Sequence, residues 1–164
     1  MAQKVVLSDA SPLIGLAAAG GFELLRDLFG TVTVTRTVRS EVVAGTGMPG
    51  AKEIAAGIRA GWIKVIKDPA ADGKFVDLDA GEASTLRAAL KAGANCLVLM
   101  DEPLGRADAK ALGMAVTGMA GVLLAAKRAR LVKAVKPFFD SLANTDFRLS
   151  EAVIHTVMQE AGET

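Results

Sequence analysis

Tyrosine is absent from this 164-residue chain, and cysteine, histidine and tryptophan occur once each. A single cysteine rules out an intramolecular disulfide and points to a reducing compartment. Cys96 lies inside the apolar run Cys96 to Met100 and reads as a small buried hydrophobe rather than a nucleophile. One histidine and one cysteine give no zinc pattern, and His155, late in the chain, reads as exposed on its helix. Long apolar runs are also missing. The longest, Met114 to Ala126, is interrupted by Thr117, Gly118 and Gly121 and is too short to span a bilayer. Val5-Val6-Leu7 ends at Ser8-Asp9, too soon for a signal-peptide core. A soluble cytoplasmic protein with no membrane partner is expected. Charge of either sign is scarcely in excess: the formal net charge is +1. Attraction for nucleic acid must therefore be local. Between Asp108 and Asp140 no acid occurs, and Lys127, Arg128, Arg130 and Lys133 fall there. The stretch reads either as a solvated helix face or as a phosphate-contacting surface.

What the chain does have is aliphatic residues, much alanine, and frequent glycines. Hydrophobic residues make up 51% of it, which favours helix over strand. Lys4–Ser8, Thr31–Val34, Trp62–Ile66, Cys96–Met100 and Ala115–Thr117 read as strands. Helices alternate with them, and Ser11-Pro12 reads as a cap followed by proline in the first turn. Val38, Val42 and Val43 mark one helix face, which Gly45 closes. A helix from Met119 to Arg130 and a last one from Ser150, with Val153, Val157 and Ala161 on one stripe, complete the pattern. Strands apolar on both faces imply an α/β fold of three layers, a central parallel sheet flanked by helices. The length suits one domain over 1–164, with 149–161 a C-terminal helix added to the core.

Two strands run into aspartate, at Asp9 and Asp101. In a parallel sheet their C-terminal ends share one edge, where ligands bind. Ser11 is better placed than Asp9 to cap the first helix, which leaves Asp9 free. Asp101 reads equally as the start of a turn. Asp79-Ala80-Gly81-Glu82 has capping-box spacing, yet Glu82 also tops the apolar stripe that passes through Leu86. Glu41 borders the Val38 face and alone would be a surface residue. Carboxylates without histidine or thiolate partners suit Mg²⁺ or Mn²⁺.

Val5-Val6-Leu7-Ser8-Asp9-Ala10-Ser11-Pro12-Leu13-Ile14 resembles the opening motif of PIN-domain proteins. Asp79-Ala80-Gly81-Glu82-Ala83 resembles the helix start that carries a central acid in one prokaryotic branch of that family. Leu99-Met100-Asp101-Glu102 with Arg106-Ala107-Asp108, then Thr117-Gly118 with Gly121-Val122-Leu123-Leu124, are similar to its later segments. Phe147-Arg148-Leu149-Ser150, with Gly162-Glu163, fits its ending. The resemblance implies a PIN fold in which Asp9, Glu41, Glu82 and Asp101 hold one or two Mg²⁺ ions and cut RNA. It also implies a likeness to VapC-like toxin ribonucleases, an antitoxin protein as partner, and a homodimer.

The chemistry expected is metal-assisted phosphodiester hydrolysis, with Asp9 and Asp101 as main ligands and Glu41 and Glu82 holding a second ion or its waters. Ser11 would bond a ligand or phosphate, or cap. Arg106 would pair with a carboxylate or contact phosphate. One alternative is a PIN-fold module that binds RNA or a partner with little or no catalysis. Another, a phosphatase with an aspartate nucleophile, requires a second aspartate where this chain has Ser11.

Overall fold

A computed structural model describes residues 4–44 and 47–164. Five strands form one sheet: β1 (Val5–Ser8), β2 (Val32–Thr35), β3 (Ile63–Ile66), β4 (Cys96–Leu99) and β5 (Ala115–Thr117). All pairings are parallel, in the order β3-β2-β1-β4-β5. The helices are α1 (Ala10–Ala19), α2 (Leu24–Phe29), α3 (Arg36–Ala44), α4 (Ala51–Ala60), α5 (Ala80–Ala92), α6 (Pro103–Ala111), α7 (Met119–Arg128), α8 (Lys136–Leu142) and α9 (Glu151–Glu160). The expected three-layer α/β architecture is present. Successive residues of a strand face opposite sides, and two cores follow. Val6, Val32, Val34 and Leu99 pack with α1, α3, α4 and α7. Leu7, Val98 and Met100 pack with α5 and α6. Among the described residues no helix is long and apolar enough to cross a membrane.

The topology fixes one special edge. The chain builds β1, β2 and β3 outward, then returns through α5 to lay β4 on the other side of β1. The strand order therefore reverses between β1 and β4, where α/β sheets leave a crevice beyond their carboxyl ends. Ser8 pairs with Leu99 there, and the Asp9 N–H donates to the Leu99 carbonyl at 2.9 Å. Helices α1, α3, α6 and α7 each start where a strand ends, and α5 descends toward β4, so their N-termini collect at this edge.

Several boundaries differ from expectation. Helix α1 starts one residue before Ser11, and Asp9 holds its N-cap position with extended backbone. Proline accepts a place anywhere in the first turn, so Pro12 did not mark the first residue. Helix α7 stops at Arg128, and Arg130 turns into the left-handed region with φ 62°. On α3, Val38 and Val42 are buried while Val43 is exposed. On α9, Val157 is buried, Ile154, Met158 and Ala161 pack beside it, and Val153 is 42% exposed. The helix-ending role expected of Gly45 lies outside the described residues.

Helix α9 docks on α7 of its own chain. The tail beyond it is tied down by Glu163. Its carboxylate accepts from the Lys127 ammonium at 2.9 Å, from the Val135 N–H at 2.8 Å and from the Lys136 N–H at 3.1 Å. These donors hold the Glu163 carboxyl below its ordinary pKa despite the opposing effect of desolvation. Charge-assisted bonds of this kind contribute more than neutral ones.

Candidate metal centre

Three carboxylates converge at the crevice. Asp9, Glu41 and Asp79 each offer an oxygen, and these oxygens lie within 4.8 Å of one another. Asp9 comes from the end of β1, Glu41 from the second turn of α3, and Asp79 from the N-cap of α5. Among the described residues no lysine or arginine forms an ion pair with any of them.

A buried hydroxyl network fixes α3 against α5. The Thr35 hydroxyl accepts the Val38 N–H at 3.2 Å, capping α3, and meets the Ser84 hydroxyl at 2.8 Å. Ser84 donates onward to the Gly81 carbonyl at 3.0 Å, so Thr35 supplies the proton between the two hydroxyls. Thr85 donates to the same carbonyl at 2.8 Å. The Asp68 carboxylate accepts from both the backbone N–H and the hydroxyl of Thr37 in the first turn of α3. The result sets Glu41 directly over Gly81. A Cβ built on Gly81 would stand 2.3 Å from Glu41 Oε2. Glycine is needed there because the carboxylate occupies the space of a side chain.

Asp79 and Glu82 form the capping box that their spacing announced. The Asp79 carboxylate accepts the Glu82 N–H at 2.8 Å, and the Glu82 carboxylate accepts the Asp79 N–H at 3.2 Å. This bond takes one oxygen of Asp79 and leaves capacity on the other.

The electrostatics follow from burial without cations. Asp9 is 3% exposed. Desolvation, opposed by the Ala10 N–H and assisted by the charges of Asp79, Glu82 and Glu41, pushes its pKa up to about 7. Burial raises Glu41 as well, with Asp79 and Asp68 adding to it and the Gly81 N–H working against it. Glu82 is raised by burial first, against the Asp79 N–H. Asp101 is also raised by burial, but the Met119 N–H and the Arg106 guanidinium both pull it down.

Asp101 therefore stands apart from the triad. Its Oδ1 accepts the Met119 N–H at 2.9 Å at the start of α7. Its Oδ2 is buried with no hydrogen-bond partner among the described residues. Arg106 donates to the Met100 carbonyl at 3.0 Å rather than to a carboxylate. Gly118 makes room for both, since a Cβ there would fall 2.2 Å from Asp101 Oδ1 and 3.3 Å from the Arg106 Nη1. Asp101, Glu82, Ser11 and Arg106 line a groove of about 770 Å³ that runs from the crevice along α7 to α9.

The structure thus groups the candidates differently from the sequence. Asp9 and Glu41 meet with Asp79 as third member, the charge of Glu82 acts on Asp9, and Glu82 and Asp101 line the adjoining groove. Asp79 was absorbed by its capping role. The signal that marks it is Gly81, whose missing side chain receives Glu41. Ser11 lies inside α1 and does not cap it. Of the basic stretch, Lys127 is engaged by Glu163 and the Ala161 carbonyl, and Arg128 stands 3.5 Å from Glu160. For these two the solvated face, with its partners at the C-terminus, is what forms. Arg130 and Lys133 are exposed.

Three clustered carboxylates with no ion pair to a lysine or arginine among the described residues, and the glycine cradle under Glu41, fit a hard divalent ion with oxygen ligands. A family model for the PIN domain matches residues 5–163. No curated protein matches the chain.

Proposed function

The chain belongs to the PIN-domain family, and on that premise we propose that it is a Mg²⁺-dependent endoribonuclease. PIN domains are generally metal-dependent nucleases. The observation that carries the reading is the convergence of Asp9, Glu41 and Asp79 at the crevice, with no ion pair to a lysine or arginine among the described residues. These three would hold the first ion. Glu82 and Asp101, facing the groove, would hold a second ion or orient water. An Mg²⁺ or Mn²⁺ ion held there would supply an acidified water and charge shielding for phosphodiester hydrolysis.

The chain's own residues perform the rest. The Thr35–Ser84 network keeps Glu41 and Asp79 at fixed separation, so the site is organised before substrate arrives. The Met119 N–H holds one oxygen of Asp101 and leaves the other directed at no protein donor. Arg106 contributes positive charge next to it.

A finer reading makes the protein the toxin of a type II toxin–antitoxin pair, acting as a homodimer. It rests on the resemblance of residues 79–83 and 117–124 to the corresponding segments of one prokaryotic branch. Induced expression without a partner should arrest growth, and Asp9→Ala should relieve the arrest.

The direct test uses protein freed of host nucleases and a single-stranded RNA. Cleavage should need Mg²⁺ or Mn²⁺, stop with chelator, and fall to background in Asp9→Ala. Undiminished cleavage by Asp9→Ala would sink the assignment.

A further inference from the structure

Residues 67–78 are an irregular connection between the end of β3 and Asp79, the N-cap of α5. The connection is fastened to both helices that bring acids to the centre. At its start Asp68 grips α3. One oxygen of its carboxylate accepts the Thr37 N–H at 3.1 Å, and the other accepts the Thr37 hydroxyl. Glu41 lies four residues after Thr37 on the same helix, so the two share a face one turn apart. A hold on Thr37 is a hold on the turn that carries Glu41.

In its middle the connection is gripped by α5. Arg87, whose side chain is only 17% exposed, donates from Nε to the Asp72 carboxylate at 3.2 Å. Its Nη2 donates to the Lys74 carbonyl at 2.9 Å. The Asp72 carboxylate also accepts the Lys74 N–H at 3.0 Å, so the guanidinium and the turn share one acceptor. Phe75 follows with φ 61°, in the left-handed region, and packs against the core that α5 shares with β4. A bulky residue keeps such a backbone only where its surroundings over-determine it. The Arg87 bonds on one side and the apolar core on the other do so here. Leu78 packs on the same core, and Asp79 is the next residue.

We propose that residues 67–78 brace α3 against α5, with Asp68 and Arg87 as positioning residues that set the separation of the Glu41 and Asp79 carboxylates. Each acts through the helix it fastens, not on the ion. The Thr35–Ser84 contact joins the start of α3 to α5 at one point, and a single joint leaves a pivot. The brace is a second link, placed beyond Thr35 on α3 and beyond Ser84 on α5, and it removes that freedom. The rival account of Asp68 is electrostatic, since its negative charge also acts on Glu41. The proposal deepens the metal-dependent reading and rests on it for any effect on an ion. The brace itself rests on the hydrogen bonds alone.

Two measurements test it. The first is backbone hydrogen exchange in chelator, which needs no metal. Arg87→Gln cuts the brace on α5, and the Thr37 amide, held at the other end by Asp68, should then exchange about tenfold faster, as expected when one hydrogen bond to a charged group is loosened. Amides in the middle of α7 should not change. The second is titration with Mn²⁺. Asp68→Ala and Arg87→Gln should each weaken binding by about tenfold or more, the range for outer partners of metal ligands. The double variant should be no weaker than the weaker single one, because a brace cut twice is released once. Asp68→Asn keeps an acceptor for the Thr37 N–H and places an amide donor against the hydroxyl, so it should recover most of the loss without the charge. Arg26→Gln, which removes an ion-paired arginine from α2, should leave the affinity unchanged. A Thr37 amide that Arg87→Gln leaves protected would overturn the brace, as would additive losses in the double variant. Asp68→Asn as weak as Asp68→Ala would assign Asp68 the electrostatic role and overturn it too. If wild type binds no Mn²⁺, the metal reading falls and the exchange result alone decides the brace. If wild type binds Mn²⁺ and Arg87→Gln binds it as tightly, the metal reading stands and the brace falls.

Discussion

Asp9 and Asp101 end neighbouring parallel strands, one residue and two residues past a matched pair, yet their carboxylates have opposite surroundings. Asp9 faces three other acids and no cation. Asp101 faces an N–H and a guanidinium, and no carboxylate adds to its shift. The strand ends are equivalent, so the difference comes from the helices. On the β1 side, α3 and α5 bring Glu41 and Asp79 in. On the β4 side, α6 and α7 bring Arg106 and the Met119 N–H. A shared sheet edge positions backbones, and the helix starts decide which half gathers carboxylates and which becomes the mouth of a groove.

The largest effect expected from this contrast is on stability without metal. The folded-state pKa of Asp9 is raised from 3.8 to about 7. The folded protein therefore holds a proton that the unfolded chain releases. The contribution of Asp9 to metal-free stability is full below pH 4, is lost as pH rises through 7, and levels off above that. The loss amounts to as much as about 4 kcal/mol. Asp9→Asn should remove it. In chelator its melting temperature should exceed wild type by as much as about 10 °C at pH 8, with little difference at pH 4. A gain independent of pH would show that Asp9 does not titrate as described.

A smaller effect separates the two sides directly. Asparagine caps helices as well as aspartate does, so Asp79→Asn should keep α5 while removing a ligand. The stabilisation by Mg²⁺, about 2.7 kcal/mol at a hundredfold excess over Kd, should shrink more in Asp79→Asn than in Asp101→Asn. Thermal melts with chelator and with Mg²⁺ give both shifts, and a larger loss in Asp101→Asn would reverse the assignment of the two sides.

The smallest effect concerns Gly81. Alanine favours helix over glycine by up to about 1 kcal/mol, but its Cβ would displace the Glu41 carboxylate. Gly81→Ala should melt no lower than wild type in chelator and respond less to Mg²⁺. An undiminished response would mean that Glu41 is not held over Gly81.

The alternation of strands and helices was legible because both faces of each central strand are buried, as in Val6-Leu7 and Val98-Leu99. The sheet edge was legible for the same reason. Asp9 and Glu41, both named from the sequence, come together, but the place of Asp79 beside them was not legible. Capping spacing identified Asp79 correctly and thereby hid its second role, since a cap at the sheet edge also points an oxygen at the crevice. The acid-free stretch suggested a phosphate surface, but Lys127 and Arg128 find Glu163 and Glu160 more than thirty residues later.

The central claim is that the Asp9, Glu41 and Asp79 carboxylates form a divalent-cation site. Calorimetric titration of Mn²⁺ in buffers of different ionisation enthalpy tests it, because a ligand with pKa near 7 must lose its proton to bind. The wild type should bind Mn²⁺ and release about one proton at pH 6, falling toward none by pH 8.5, and Asp9→Asn should lose both the binding and the release. Binding that releases no proton at pH 6, or that Asp9→Asn leaves intact, would contradict the account.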